Sequence, residues 1–156
     1  MEARASRPYM PDYGIKPATD GLLEWSWAVK RLATSHDYWV VTTWPDGRPH
    51  LTPVWGAWID NALWFSCGGN SRKARNLDHD PRCSIATDNA YEPVIIDAVA
   101  ERIEEFARYT EVSNAKYDVD YSVEFFAANA LFAARPQSAF ALDEADFTGT
   151  PTKWVF

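Results

Sequence analysis

The sequence predicts a small antiparallel β-barrel with flanking helices, an α+β to mainly β architecture. Two observations carry that reading: short β-type runs follow one another through tight turns, as in hairpins and meanders, and helical segments interrupt them at a few fixed points. The chain has 156 residues, the size of one domain with a real core.

Residues 1–18, with Pro8, Pro11, Gly14 and Pro17, read as an extended arm that orders only against a partner surface. One domain then spans residues 19–156. Thr19 or Asp20 is placed to cap a helix over residues 21–35, where Leu22, Trp25, Ala28, Val29 and Leu32 recur at three- and four-residue spacing. Residues 38–43 are a β-type run. The turn Pro45-Asp46-Gly47-Arg48 leads into a strand over residues 49–58, and Asp60-Asn61 turns the chain into residues 62–67. A helix follows from Ser71. Asp80-Pro81 stops it, and strands are predicted over residues 83–87 and 93–106. Helices are expected over residues 107–116 and 123–134, the second with Phe125, Phe126, Leu131 and Phe132 on its apolar side. Short β-type runs at residues 137–142 and 152–156, separated by the turn Thr148-Gly149, end the chain.

The charge balance excludes some partners. Fifteen Lys and Arg against 22 Asp and Glu leave a net charge of -7, a field that repels nucleic acid and acidic membrane surfaces. Residues 1–16 hold charges and prolines in place of an apolar leader, and no stretch is long enough to cross a bilayer. Cys67 and Cys83 form neither a C-x-x-C pair nor a disulfide framework, so a reducing cytoplasm is expected. Eight Trp, seven Tyr and eight Phe suit a flat ring-shaped ligand or a subunit interface as well as a packed core.

The stretch from Cys67 to Leu77 outlines an anion site. Gly68 and Gly69 give a flexible turn, Ser71 stands where an N-cap belongs, and Arg72, Lys73 and Arg75 follow it. Free N–H groups and the positive dipole end of a helix attract phosphate. Cations in that first turn are repelled by the dipole unless an anion lies between them, although a solvated basic turn has the same local sequence. Other chemistry is poorly supported. His36, His50 and His79 are dispersed, with His50 the best placed; Glu101, Glu104 and Glu105 read as a solvated face; and Cys67 reads as a small packing residue. No metal site, nucleophile elbow, dinucleotide fingerprint or phosphate loop is present.

In order along the chain, Asp46-Gly47-Arg48-Pro49-His50, Thr52-Pro53-Val54-Trp55-Gly56, Leu63-Trp64-Phe65-Ser66, Ser71-Arg72-Lys73-Ala74-Arg75-Asn76-Leu77 and Asp80-Pro81-Arg82 resemble the pyridoxamine 5'-phosphate oxidase-like family of flavin and deazaflavin proteins. Within it, the chain looks most like the flavin/deazaflavin oxidoreductases that use the 8-hydroxy-5-deazaflavin coenzyme F420. The resemblance covers residues 20–106 and, more loosely, Thr152-Lys153-Trp154. It implies a six-stranded antiparallel split β-barrel, the FMN-binding split barrel, forming a homodimer with two cofactor grooves between subunits. Thr52, Pro53, Val54 and Trp55 would lie along the ring system, Ser66 and Cys67 beside the ribityl chain, and Ser71, Arg72 and Lys73 around the phosphate, with Asn76 nearby. Trp154 of the other subunit would close the groove. Val155 stands where the family often carries a second cation. The implied activity is hydride transfer from reduced F420 to a small or medium unsaturated organic acceptor, with no catalytic side chain required. The alternatives are an FMN-dependent oxidoreductase of the same fold and a non-catalytic carrier of a flavin, deazaflavin or haem-like ring. A pyridoxamine phosphate oxidase proper is disfavoured, because Lys153-Trp154-Val155 lacks its C-terminal Arg/His set.

Overall fold

The structure is a computed structural model and describes residues 2–156. Two local hairpins organise its first half. β2 (Asp37–Thr43) and β3 (Pro49–Trp55) pair antiparallel, with Tyr38 opposite Val54, Val40 opposite Thr52 and Thr42 opposite His50. Their turn closes through Trp44 and Arg48, and Gly47 takes the φ of 90° that only glycine adopts freely. β4 (Ala57–Ile59) and β5 (Ala62–Cys67) form the second hairpin. Asp60 and Asn61 both have positive φ there, the pattern of a two-residue turn whose twist matches the strands.

The strand expected over residues 49–58 is therefore two strands, β3 and β4. Gly56 divides them. A Cβ there would lie 3.1 Å from the Trp64 carbonyl oxygen and 3.2 Å from both Leu63 Cδ1 and the Tyr38 ring, so only glycine passes this crossing cheaply.

β6 (Arg82–Thr87) and β7 (Val94–Arg102) follow helix α2 (Arg72–His79), and β8 (Ala130–Ala141) joins the two halves. β7 pairs along β8, with an irregularity between Asp97 and Ala98. β5 pairs with the first half of β8, and β9 (Thr152–Val155) with the second. With β1 formed by Arg4–Ser6, the strands run β1-β9-β8-β7-β6-β2-β3, with β5 on β8 and β4 on β5, in an antiparallel sheet that does not close. Nine strands are thus present among the described residues, where the sequence outlines seven β-type runs and the resemblance implies a six-stranded barrel.

The helix expected over residues 123–134 is the largest departure. Only α4 (Val123–Ala127) is helical, and residues 130–134 are strand. Ala130, Phe132 and Ala134 belong to one hydrophobic cluster, Leu131 and Ala133 to the other. A strand buried on both faces shows no alternation, and pairing with β5 and β7 overrides the helix propensity of Ala and Leu.

Smaller differences have local causes. Helix α1 runs Trp25–Thr34, so neither Thr19 nor Asp20 caps it. The strand expected to reach residue 106 ends at Arg102, and α3 spans Phe106–Tyr117. The arm folds onto its own chain: β1 (Arg4–Ser6) pairs with β9. The Arg7 guanidinium donates to the carbonyls of Ala18, at 2.9 Å, Gly149, at 2.7 Å, and Pro151, at 3.0 Å. No helix among the described residues is long and apolar enough to cross a membrane.

Candidate functional site

Helix α2 begins as its sequence requires. The Ser71 hydroxyl accepts from the Ala74 N–H at 3.2 Å, and the Ser71 N–H donates to the Gly68 carbonyl at 2.9 Å, closing the glycine turn. Arg72 does not pair with a carboxylate. Its guanidinium carbon lies 3.8 Å from the centre of the Trp44 ring, which Arg48 also faces at 4.5 Å. Lys73 is 8% exposed, and burial lowers its pKa, an effect opposed by the nearby Cys67 sulfur. Neither cation enters any of the seven ion pairs among the described residues. Two uncompensated cations at the positive end of a helix raise the energy of the free protein, and an anion bound there would lower it.

β3 is the last strand of the sheet path, so half of its backbone groups have no strand partner. Period-two alternation separates the expected ring-lining residues. Pro53 is exposed and Trp55 is 41% exposed on one face, while Thr52 and Val54 point to the other. Val54 is core. Thr52 is half-buried, and its hydroxyl oxygen has no hydrogen-bond partner, nor has His50 Nδ1 two residues earlier. His50 meets edge-on, at 6.2 Å, the Trp44 ring that Arg72 faces, and unpartnered polar atoms on the strand together with unpartnered cations on the helix fit a polar ligand with an anionic end.

Trp55, Ser66 and Cys67 line a cavity of about 260 Å³, whose opposite wall is built from Tyr109, Tyr121 and Phe125 of the α3–α4 segment. Tyr121 and Phe125 stack with centroids 4.4 Å apart. Trp55 stacks on Tyr117 at 4.2 Å and 5°. Burial raises the Cys67 thiol pKa; the Ser71 side chain, Lys73 and Arg102 oppose it, so the thiol is not set up as a nucleophile. Burial likewise pushes Tyr109 up to about 12. Cys67, which lines the cavity, lies beside the Ser71 side chain and Lys73, so the aromatic slot adjoins the cationic helix end.

Two of the expected contact residues are buried among the described residues. Asn76 is fully buried, its amide donating to Thr42 Oγ1 at 3.1 Å, so it fastens α2 to β2 below the site. Trp154 is 1% exposed and packs edge-on against Trp25 at 5.4 Å, because its face of β9 turns into the core. Trp44, Tyr109, Tyr121 and Phe125 were not among the expected site residues. Their sequence signal, aromatics near a helix, was indistinguishable from core packing. Among the described residues no group of three His, Cys, Asp or Glu side chains could hold a metal ion.

No protein with a curated function matches the sequence. Solved structures share the fold. A conserved hypothetical protein, Rv2991 from Mycobacterium tuberculosis, is 24% identical, with a TM-score of 0.73 over 83% of this chain and 90% of that one. An F420 reductase is 23% identical, with a TM-score of 0.60 over 70% and 93%. A pyridoxamine 5'-phosphate oxidase-related, FMN-binding protein from Nostoc punctiforme is 18% identical, with a TM-score of 0.59 over 76% and 81%. The family model for pyridoxamine 5'-phosphate oxidase matches residues 27–146, which takes in the capped helix, the aromatic slot and every strand between β2 and β8. The chain belongs to the pyridoxamine 5'-phosphate oxidase family.

Proposed function

We propose that this protein is an oxidoreductase that binds coenzyme F420, with FMN as the alternative cofactor, and reduces a small or medium unsaturated organic acceptor. The observation that carries the reading is the pair of uncompensated cations, Arg72 and Lys73, at the Ser71-capped start of α2, with Lys73 beside Cys67 of the aromatic slot. When bound, the reduced ring supplies the hydride. The chain's own work is binding and orientation. Arg72, held flat by Trp44, and Lys73 grip the phosphate with the free N–H groups of the first turn. Ser66 and Cys67 border the linking chain, while the unpaired edge of β3 at Pro53 and Trp55 offers backbone groups to the ring. Tyr121 and Phe125 exclude water from the slot and present a flat apolar wall to the acceptor. The preference for F420 rests on the sequence motifs, since the phosphate grip serves either cofactor.

The reading extends to a homodimer in the cytoplasm. Trp39 is 45% exposed, Leu51 56% and Val99 38% on the outer face of β3, β2 and β7, an apolar surface of the kind obligate interfaces cover. Light scattering at micromolar concentration should give twice the 17.7 kDa chain mass, and a monomer that still binds cofactor would reject the interface. The cofactor is tested by titrating purified protein with F420 and with FMN, following absorbance and fluorescence. Saturable binding of F420 at least tenfold tighter than FMN, about 1.4 kcal/mol, is expected. The reverse order would make it an FMN protein, and binding of neither would reject the site.

A further inference from the structure

Consecutive residues of α3 take both polar groups of Gly56, the residue at which the strand path crosses from β3 to β4. The Gly56 N–H donates to the Tyr117 hydroxyl oxygen at 2.8 Å, and the Lys116 ammonium donates to the Gly56 carbonyl at 2.7 Å. The same ammonium donates to the Tyr38 hydroxyl at 2.8 Å, and Tyr117 in turn donates to the His36 carbonyl at 2.7 Å. Lys116 is half-buried and has no carboxylate within ion-pair distance among the described residues. Its charge is met by carbonyl and hydroxyl oxygens and by the Tyr38 ring, 4.7 Å away. A half-buried cation without a carboxylate gives little stability compared with an apolar residue of similar volume, so its geometry is what the site gains from it.

That geometry bears on Trp55. The residue adjoins Gly56 and stacks on Tyr117 with the two rings 5° from parallel. We propose that Lys116 is a positioning residue: with Tyr117 it clamps the backbone at Gly56, and the clamp holds the Trp55 indole at the mouth of the aromatic slot. The relevance to ligand binding rests on the reading of that slot as the ring site. Loss of the clamp would leave β3 paired with β2 but free the indole to swing away, because Lys116 and Tyr117 supply the side-chain hydrogen bonds to Gly56 among the described residues.

The clamp should respond to pH. Burial pulls the Lys116 pKa down to about 8, against the partial support of Asp88 and Asp37. The other groups facing it are Tyr38 and Tyr117, both raised by burial, and His36, whose ring meets Tyr117 edge-on at 5.3 Å and Trp55 at 6.1 Å. Neither tyrosine titrates below about pH 10, and His36→Gln removes the imidazole as a confounding group.

The test follows the Trp55 indole N–H resonance in 15N-labelled protein, assigned by its loss in Trp55→Phe. In the unmodified chain and in His36→Gln the resonance should shift with a midpoint near pH 8. Lys116→Met should displace it at neutral pH and abolish the titration, whereas Lys116→Arg should restore the neutral-pH position without any titration. Tyr117→Phe, which keeps the stack and loses both hydroxyl contacts, should displace it independently should Lys116→Met fold poorly. A resonance unmoved in Lys116→Met and Tyr117→Phe and flat from about pH 6 to about pH 10 would overturn the proposal, whatever happens to ligands. FMN and F420 titrations are read separately, with an affinity loss of about threefold to tenfold expected in Lys116→Met. A displaced indole with unchanged affinity would sustain the clamp and sink the reading of the slot as the ring site.

Discussion

The two ends of helix α2 carry charges of the wrong sign for its dipole, and only one end is compensated. Asp78, near the negative end, is gripped by both arms of the Arg102 guanidinium at 2.7 and 2.8 Å, which lowers its carboxyl pKa. Asp80, one residue past the helix, is held by Arg82 in the same way, down to about 2. Arg72 and Lys73, at the positive end, pair with no carboxylate among the described residues, in a chain with seven more acidic than basic residues. Compensated charge marks a finished structural contact. Uncompensated charge, kept where the dipole repels it, marks a place where something else completes the site.

The largest effect should come from removing the uncompensated charges. Arg72→Ala or Lys73→Met is expected to weaken F420 or FMN binding about ten- to a hundredfold, since a charge-assisted contact to phosphate contributes roughly 1.5–3 kcal/mol. Melting without cofactor should stay level or rise, because each change relieves repulsion from the helix dipole and Lys73→Met also removes a buried cation. Methionine keeps the stem volume that Lys73 packs at 8% exposure. Affinity measured by titration and melting measured by calorimetry must therefore move apart. Unchanged affinity in both variants would erase the contrast between the two ends.

Much of this contrast was legible in the sequence because it is local. A glycine turn, a capping serine and adjacent cations occupy consecutive positions, as do the turns at Gly47 and at Asp60-Asn61 that set the two hairpins. What escaped the sequence depends on distant partners. Residues 130–134 look helical by propensity, and only pairing with β5 and β7 makes them strand. Trp154 and Asn76 face the core, which a side-chain type alone does not reveal. The aromatic wall of the slot arrives from α3 and α4, tens of residues beyond the strand it faces.

Lys116 supplies an intermediate case, a cation answered by neutral oxygens, and its effect should appear in stability against pH. Its folded pKa, about 8, lies below the unfolded value of 10.5, so between them the unfolded chain binds more protons. Stability of the unmodified protein should therefore rise with pH across that window relative to Lys116→Met. Partial solvent screening limits the gain to the order of 1–2 kcal/mol. Tyr109 and Tyr117, each pushed up to about 12, act in the opposite sense above about pH 10, so melting is compared between pH 8 and that limit. Parallel melting curves for the two proteins across the window would mean that the ammonium is solvated.

The smallest effect belongs to the compensated end. Arg102 and Asp78 are 46% and 48% exposed, so their pair contributes about 0–1 kcal/mol despite its two-armed geometry. Arg102→Ala is expected to lower melting by a degree or two and to leave cofactor affinity within twofold, since its guanidinium is committed to Asp78 and reaches Cys67 only through its charge. The sign of its pH dependence also follows. Asp78 has a depressed pKa in the folded state, so the pair stabilises above the ordinary carboxylate value of 3.8 and fades as pH falls through the lower folded value. Arg102→Ala and the unmodified protein should thus converge in acid. An Arg102→Ala variant that lost cofactor as severely as Arg72→Ala would show that charge anywhere along α2 supports binding, and that the difference between its two ends is not what selects the ligand.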